Sequence, residues 1–347
     1  MNRDEQAPAY RALALQTACR AVNALNDTDA RTAIMGAIDR IDAQIGASIA
    51  FLGPDVRLVV LPEYVLTGFP MGEPVDAWAR KAALAPDGAE YTALAAVASR
   101  HGIFLAASAY ESDPHFPGLY FQASTVHDPS GTCVLRYRRL HSLYSPTPYD
   151  VWDRYLEVHG PDAVLPVART AIGALAAIAS EEILYPELAR ALALRGAEVF
   201  VHSSAEAGSP LATPKDIAKS ARAIENLAYV VSANTGGHTG TAIPAASTDG
   251  LSKIVAFTGQ VLAAAGPGES MVANAEIDLA ALRRYRARPG MGNLLARVKC
   301  GLWAAEYARH DVERPRDLGG AIPDRGYFAE RHRESLDRLR EAGVVPR

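Results

Sequence analysis

Cysteine is scarce in this 347-residue chain, and Cys19, Cys133 and Cys300 lie at unrelated spacings. This pattern indicates neither a disulfide framework nor a zinc site. No apolar run reaches the length of about 18 residues that a membrane-spanning helix needs. Basic residues are not in excess, with 35 Lys and Arg against 39 Asp and Glu, so the charge gives no indication of nucleic-acid binding. Neither a glycine-rich phosphate loop nor a metal-ligand cluster appears, and we therefore expect no cofactor and no metal.

The composition is that of an ordinary globular protein, with 49% apolar residues and a mean hydropathy of -0.01. The N-terminal residues are polar and lack the apolar segment of a signal peptide, so we expect a cytoplasmic protein. No Pro, Gly or Ser-rich linker divides the chain before about residue 300. We expect one domain over residues 8–305 and a charged C-terminal extension over 306–347, which packs on its own body or across a partner subunit.

The chain is organised around residues 167–200, where a strand, a sharp turn, a helix and a second strand follow one another. An apolar β-run from Ile172 to Ile178 ends just before Ser180, and an Ala and Leu-rich helix follows Pro186. Such an elbow at the carboxyl end of a buried strand presents a nucleophile to a ligand crevice in open α/β sheets. Ser180 is therefore the leading candidate for a reactive side chain.

Two further strands end in charged residues. The apolar run VRLVVLPEY has Glu63 near its end, where the pattern alone favours a salt-bridged or helix-capping carboxylate. The strand CVLRYRRL carries Arg139 in a basic cluster, which by itself is typical of a solvated rim. Residues 142–166 are predicted to form a long aromatic loop that lines a pocket. The candidate site carboxylates in this loop are Asp150, Asp153 and Glu157.

The remaining pattern alternates helices with strands. Helical periodicity predicts helices over 28–49, 87–101 and 214–227, and one amphipathic helix near the end of the C-terminal extension. A hairpin over 252–265 and a final strand over 270–279 follow. This mixture of βαβ-type units and hairpins predicts the α/β class.

Three motifs together resemble the nitrilase, or carbon-nitrogen hydrolase, superfamily. They are LPEYVLTGFP around Glu63, YRRLH around Arg139 and ASEEILYPELARALALRGAEVF around Ser180. Supporting segments, such as ARAIENLAYVVSANTGG at 221–237, occur in the order and spacing of the family, and the resemblance covers about residues 8–305. It implies a four-layer α-β-β-α sandwich.

The resemblance also implies roles for individual residues. Members of the family are expected to use a Glu, Lys and Cys triad, in which Cys attacks a nitrile or amide carbon, Glu moves protons and Lys stabilises the tetrahedral intermediate. By position, Glu63 matches the Glu, Arg139 the Lys and Ser180 the Cys. Glu182 matches the acid two residues after the nucleophile, and Asp150 is our choice for the second Glu of the family.

Substrate binding and self-association are further expectations. The residues expected to contact a small-molecule substrate are Glu182, Tyr144, Trp152 and His202, although the last three are equally compatible with scaffold packing. The resemblance implies a homodimer or higher homo-oligomer that pairs through the helix from Pro186 to Arg195. A helix that faces the core would show the same pattern of Leu and Ala.

Two departures from the family pattern bear on the chemistry. A thiol titrates near about 8.5, whereas a serine hydroxyl is a far weaker acid and needs a well-placed base. Arg139 is predicted to clamp Glu63 in a bidentate pair, which would compete with its use as that base. Three functions stay open: hydrolysis of a small amide, nitrile or ester by Ser180, binding of a small carboxylate or amide at Arg139 by a non-catalytic homologue, and a lyase or transfer reaction in the same pocket.

Overall fold

The computed structural model describes residues 9–310 and 312–346. Residues 1–8, on which the expectation about a signal peptide rests, lie outside the described residues. Over the described part of the chain, the strands are β1 (Tyr10–Ala14), β2 (Cys19–Arg20), β3 (Val56–Val60), β4 (Phe104–Ser112), β5 (Tyr120–His127), β6 (Cys133–Arg138), β7 (Ala168–Thr170), β8 (Gly173–Ala179), β9 (Val199–Ser203), β10 (Tyr229–Ala233), β11 (His238–Thr239), β12 (Lys253–Val255), β13 (Val261–Ala264) and β14 (Asn274–Ile277). Over the same part, the α-helices are α1 (Asp27–Leu52), α2 (Val75–Ala82), α3 (Ala89–His101), α4 (Trp152–His159), α5 (Pro186–Leu194), α6 (Pro214–Asn226), α7 (Leu279–Ala287), α8 (Cys300–Tyr307) and α9 (Arg325–Glu341).

Two mixed sheets form the centre of the molecule. The first has the strand order β14-β1-β3-β4-β5-β6, and the second has the order β13-β12-β10-β9-β8-β7. The inner pairs β1–β3, β3–β4, β8–β9 and β9–β10 are parallel, and the outer pairs are antiparallel. Parallel strands are buried on both faces, which explains why β3 and β8 are almost wholly apolar in sequence.

The two sheets pack face to face and each is covered by helices. Alternate residues of β3 point to opposite sides, so that Leu58 and Val60 join the core shared with the second sheet while Val59 packs in the core beneath α1 and α3. On the other side, Leu188 and Leu192 of α5 pack against the second sheet. The fold is an α-β-β-α sandwich, as the sequence predicts.

The carboxyl ends of strands from both sheets meet at one place. Ser203 Oγ, at the end of β9, donates a hydrogen bond to the carbonyl oxygen of Leu61 at 2.8 Å. One step further along, the backbone N–H of Glu63 donates to the carbonyl oxygen of Ser204 at 3.2 Å. These bonds hold the end of β3 against the end of β9, and so bring side chains from the two sheets into one site.

Residues 142–166 differ from the predicted loop, because they contain a short 3₁₀ turn over Pro148–Asp150 followed by α4. The reason is local: the Asp150 carboxylate accepts hydrogen bonds from both the backbone N–H and the hydroxyl of Thr147, at 2.9 and 2.8 Å. This capping starts the turn from which α4 continues. The predicted strand over 270–279 is shorter in the structure, where Ser270 forms only an isolated bridge to Gln16 before β14.

The C-terminal extension packs back on the body of its own chain. It contains α9, and α8 crosses the expected boundary at residue 305, so two helices stand where the sequence predicts one. Phe328 of α9 is buried in the core beneath the first sheet, and Arg331 forms a buried ion pair with Asp150 at 2.6 Å. Among the helices of residues 9–310 and 312–346, none has the length and apolar character needed to cross a membrane.

Candidate active site

A cavity of about 840 Å³ opens where the strand ends of the two sheets meet. Glu63, Arg139 and Ser180, the three residues matched to the family triad, all line it. Its walls come from the segments 69–76, 142–145 and 322–325 together with a group of aromatic residues. The aromatic residues of the wall are Tyr64, Phe69, Tyr110, Tyr120, Tyr144 and Phe328.

Ser180 stands at the tip of the elbow. Strand β8 ends at Ala179, and Ser180 begins a 3₁₀ turn over Ser180–Leu184 with a φ of 49°, in the left-handed region that non-glycine residues seldom adopt. Strained backbone of this kind is concentrated at functional sites. The hydroxyl oxygen of Ser180 accepts a hydrogen bond from Lys215 Nζ at 3.0 Å.

His202 holds the elbow from behind. Its Nε2 lies 2.9 Å from the carbonyl oxygen of Ser180, and its Nδ1 lies 2.8 Å from Ser232 Oγ. Complete burial, aided by the nearby charge of Lys219, lowers the pKa of His202 to about 3. The ring is therefore neutral, with Nε2–H donating to the Ser180 carbonyl and Nδ1 accepting from the Ser232 hydroxyl. His202 does not belong to the cavity lining, in contrast to the sequence expectation.

Glu63 is buried and both of its carboxylate oxygens accept hydrogen bonds. Oε1 accepts from Gln122 Nε2 at 2.8 Å, and Oε2 accepts from the backbone N–H of Ala205 at 3.0 Å. Neither oxygen has the Ser180 hydroxyl among its described partners. The carboxylate is thus fixed at the cavity floor by contacts with both sheets.

Arg139 does not form the predicted bidentate clamp on Glu63. A single nitrogen, Nη1, lies 3.4 Å from Glu63, while the same atom donates to Gln122 Oε1 at 2.7 Å and Nη2 pairs with Glu181. The amide of Gln122 lies between the two charges and bonds both, which leaves no room for a fork of two parallel bonds. Burial acts to lower the pKa of Arg139, but Tyr64 and the surrounding carboxylates raise it overall.

Glu182 supports the site without lining it. Its carboxylate is completely buried and accepts hydrogen bonds from Tyr137 Oη at 2.8 Å and from the backbone N–H groups of Leu140 and His141 at 2.9 and 3.0 Å. These bonds tie the elbow to the segment that carries Arg139. Contrary to the sequence expectation, Glu182 has no surface in the cavity with which to contact a substrate.

Asp150, expected as the second acid, lies outside the cavity lining. Its carboxylate is buried against the C-terminal helix, where it accepts from Tyr327 Oη at 2.8 Å and pairs with Arg331. The pair neutralises the charge and orients α9, so the geometry favours a structural role. Asp153 and Glu157 are exposed on α4.

Of the two aromatic residues expected in the site from this region, one lines the cavity. Tyr144 does so, with the guanidinium of Arg325 4.4 Å above its ring. Trp152 instead packs edge-on against Tyr149, with ring centroids 5.2 Å apart, away from the cavity.

Comparison with known proteins gives the family of this chain. The family model described as carbon-nitrogen hydrolase matches residues 16–287. This chain belongs to the carbon-nitrogen hydrolase family. A formamidase from Pseudomonas syringae pathovar tomato is 27% identical over 271 residues, which cover 78% of this chain and 74% of the relative. A nitrilase from Pyrococcus abyssi is 31% identical over 238 residues, which cover 66% of this chain and 80% of the relative.

Solved structures of carbon-nitrogen hydrolases share the fold. The enzyme from Helicobacter pylori has a TM-score of 0.63 at 20% identity and covers 86% of this chain and 98% of its own. An amidase from Nesterenkonia has a TM-score of 0.60 at 20% identity and covers 86% of this chain and 96% of its own. Similarity at this level of identity establishes the sandwich architecture of this family member.

Two residues near the site of this family member, Gln122 and Lys215, are not among those predicted from the sequence pattern. Gln122 is a polar residue within the otherwise buried strand β5, and such a position requires a partner. Lys215 follows Pro214 in the first turn of α6, where a cation opposes the helix dipole. A lysine in the first turn of a helix is unfavourable to the helix dipole, and this is the signal that could have identified Lys215.

Among the described residues, neither the buried thiol of Cys19 nor a group of metal ligands adds a reactive centre to the site. Burial raises the pKa of the Cys19 thiol to about 12, and the thiol donates to the Tyr64 carbonyl oxygen at 3.2 Å. Within residues 9–310 and 312–346, no three His, Cys, Asp or Glu side chains are grouped so that they could hold a metal ion.

Proposed function

We propose that this family member hydrolyses a C–N bond of a small amide or nitrile with Ser180 as its nucleophile. The observation that carries the proposal is the meeting of Ser180, Glu63 and Arg139 in the lining of one cavity, with Ser180 on a strained elbow. The names of the relatives, formamidase, nitrilase and amidase, support this class of substrate.

The geometry suggests a division of labour among the three residues. Ser180 Oγ attacks the carbon of the amide or nitrile. Arg139, held by Gln122 and Glu181, supplies a fixed positive charge near the atom that becomes negative in the tetrahedral intermediate. Glu63 exchanges protons with the water that completes hydrolysis.

The cavity favours a substrate larger than formamide. Its volume of about 840 Å³ lies within the range of sites for drug-sized ligands. The rings of Tyr64 and Tyr110 stack with centroids 5.0 Å apart, and Tyr120 meets Tyr110 edge-on at 4.9 Å. This aromatic wall suits an apolar or aromatic group attached to the reacting carbon.

The test is ammonia release from a panel of amides and nitriles that runs from formamide to phenylacetamide and phenylacetonitrile. We expect the larger members to be turned over and Ser180→Ala to lose the activity. The matched control is Ser99→Ala, which changes an exposed serine on α3. An unchanged rate in Ser180→Ala would contradict the proposal.

The separation of Glu63 from the Ser180 hydroxyl favours a second candidate, a non-catalytic homologue. Such a protein would bind a small carboxylate or amide at Arg139 after displacement of Glu181, whose side chain is partly exposed. It would show saturable binding without ammonia release, and Arg139→Ala would lose the binding. A lyase or transfer reaction would be recognised by products that contain no oxygen from isotopically labelled water.

We also propose that the protein self-associates. Leu188 and Leu192 of α5 face the core, so they do not take part in the expected pairing. The neighbouring helix α8 presents an exposed apolar surface that includes Trp303, and Tyr307 Oη joins the helices by donating to Glu187 at 2.9 Å. A second copy of the chain would cover this surface. Light scattering should detect a dimer that Trp303→Glu dissociates, whereas a monomeric starting protein would contradict this.

A further inference from the structure

Lys215 contacts the proposed nucleophile but does not line the cavity. Its Nζ lies 3.0 Å from Ser180 Oγ, within the distance over which a proton is transferred between heavy atoms. Ser180 lines the cavity, whereas Lys215 does not. The contact joins the first turn of α6 to the elbow, across 35 residues of sequence.

The other lysines of this region are bound to carboxylates. Lys219, one helical turn further along α6, is completely buried and pairs with Glu206 at 2.8 Å. Lys253 of β12 pairs with Asp216 at 2.5 Å. Among the described residues, no carboxylate lies within ion-pair distance of Lys215, and its described side-chain partner is the hydroxyl of Ser180. Lys215 is thus directed at a hydroxyl and not at a counter-charge.

Glu63 does not occupy the corresponding place. Its oxygens accept hydrogen bonds from Gln122, Arg139 and the backbone of Ala205, and none of these partners belongs to α6. A serine nucleophile needs a base in hydrogen-bond contact with its hydroxyl. Lys215 satisfies this geometric requirement.

We infer that Lys215 is the catalytic base that accepts the proton of Ser180, so that a Ser–Lys pair forms the acyl-enzyme. The inference rests on the proposed hydrolase function and adds a residue to it. In its uncharged amine form, Lys215 accepts the proton of Ser180 Oγ while the bond from Oγ to the amide carbon forms. The C–N bond then breaks, the leaving nitrogen receives that proton, and Lys215 returns to the amine. Water later attacks the ester while Glu63 takes one of its protons, and Lys215, after it takes up a proton from solvent, donates that proton to the departing Oγ. Glu63 then releases its proton to solvent.

Acylation by p-nitrophenyl acetate isolates this step, because nitrophenolate needs no proton to leave. The release of nitrophenolate in the first turnover gives the rate, and the mass of the intact protein shows the acetyl adduct on Ser180. Lys215→Arg is the decisive variant, since arginine keeps the charge and the donor but cannot be deprotonated. We expect its acylation rate to fall by about 100-fold.

Two further readouts separate catalysis from support of the fold. The fraction of uncharged lysine grows with pH, so the wild-type acylation rate should rise in the alkaline range and Lys215→Arg should lack that rise. Ethylamine in solution should restore part of the acylation rate in Lys215→Ala. Thermal unfolding should show both variants folded at the assay temperature.

The outcomes distinguish this inference from the function on which it rests. Acylation of Ser180→Ala at the wild-type rate would overturn the serine nucleophile itself. If Ser180→Ala showed no acylation while Lys215→Arg kept the wild-type acylation rate and pH profile, only the role of Lys215 would be overturned. Absence of any adduct on the starting protein would overturn both.

Discussion

The site has two halves, one from the first sheet and one from the second sheet with α6, and they differ in how fully their polar atoms are bonded. In the carboxylate half, formed by Glu63, Gln122 and Arg139, each side chain bonds the other two. The amide of Gln122 donates to Glu63 at 2.8 Å and accepts from Arg139 at 2.7 Å. The charges in this half therefore hold one another in place.

The serine half, formed by Ser180, His202 and Lys215, is arranged differently. His202 bonds the backbone carbonyl of Ser180 and leaves the hydroxyl alone. The hydroxyl oxygen has Lys215 Nζ as its described partner. The backbone of this half is held by His202, while the hydroxyl of Ser180 has a single described hydrogen bond.

The difference suits the roles proposed for the two halves. A saturated network makes a preorganised charge environment, which stabilises a transition state without rearrangement. A nucleophile requires the opposite, a side chain with one strong partner and unused bonding capacity. The two properties lie in separate halves, so the proposed mechanism predicts that each can be altered without the other.

The largest effect is expected when the carboxylate half is changed. Glu63→Gln removes the charge that is proposed to exchange protons with water, but it leaves the contact between Ser180 and Lys215 intact. Ammonia release should fall by about 100-fold or more, whereas acylation by p-nitrophenyl acetate should change by less than about tenfold. Both rates are measured on the same protein preparation.

The control for this change is Glu157→Gln, an exposed carboxylate on α4 that pairs only with Arg154 among its described partners. Its two rates should match those of the starting protein. If Glu63→Gln slowed acylation as much as ammonia release, Glu63 would be the base for Ser180 and the separation of the halves would be wrong.

Much of the fold follows from local sequence. Strand β8, the elbow and α5 lie within a residue or two of their predicted bounds, because an apolar β-run, a proline at the first helical position and a glycine after the helix are all local signals. Helix α4 was missed since its eight residues lie in a segment rich in Pro and aromatic residues. Its start depends on the capping by Asp150, a short-range contact that hydrophobic periodicity does not detect.

The bonding within the site could not be predicted in the same way. The motifs place Glu63, Arg139 and Ser180 together through family resemblance, but the partners of these residues come from distant parts of the chain. Lys215 reaches Ser180 only because α6 packs beside the elbow. Asp150 matches a family loop in sequence, yet Arg331, 181 residues away, neutralises it. Long-range packing decides such pairings, and a single sequence does not encode them in any local pattern.

An intermediate effect is expected from pH on the serine half. His202 has a pKa of about 3 in the folded protein and about 6.5 when unfolded, so the unfolded chain binds the extra proton between these values. Its contribution to stability is complete above about pH 6.5 and is lost as the pH falls towards 3. Between pH 7 and 5 this amounts to about 2 kcal/mol of the free energy of unfolding.

His202→Gln should remove this pH dependence. Urea unfolding at both pH values gives the loss for each protein, and the loss in the variant should be smaller by about 2 kcal/mol. His332→Gln, which changes an exposed histidine of α9, is the control. Equal losses in the wild type and His202→Gln would mean that the ring does not hold the elbow in its neutral form.

The smallest effect concerns the influence of Lys215 on the atom at position 180. Ser180→Cys places a thiol beside the lysine, and a neighbouring cation favours the thiolate. The pH midpoint for alkylation by iodoacetamide should lie about one unit below that of Ser180→Cys combined with Lys215→Met. Exposed Cys300 and half-buried Cys133 are changed to Ser in both proteins, and buried Cys19, whose pKa is about 12, provides an unreactive internal reference. Coincident midpoints would show that the charge of Lys215 does not reach the nucleophile, and the two halves would then differ in their hydrogen bonds alone.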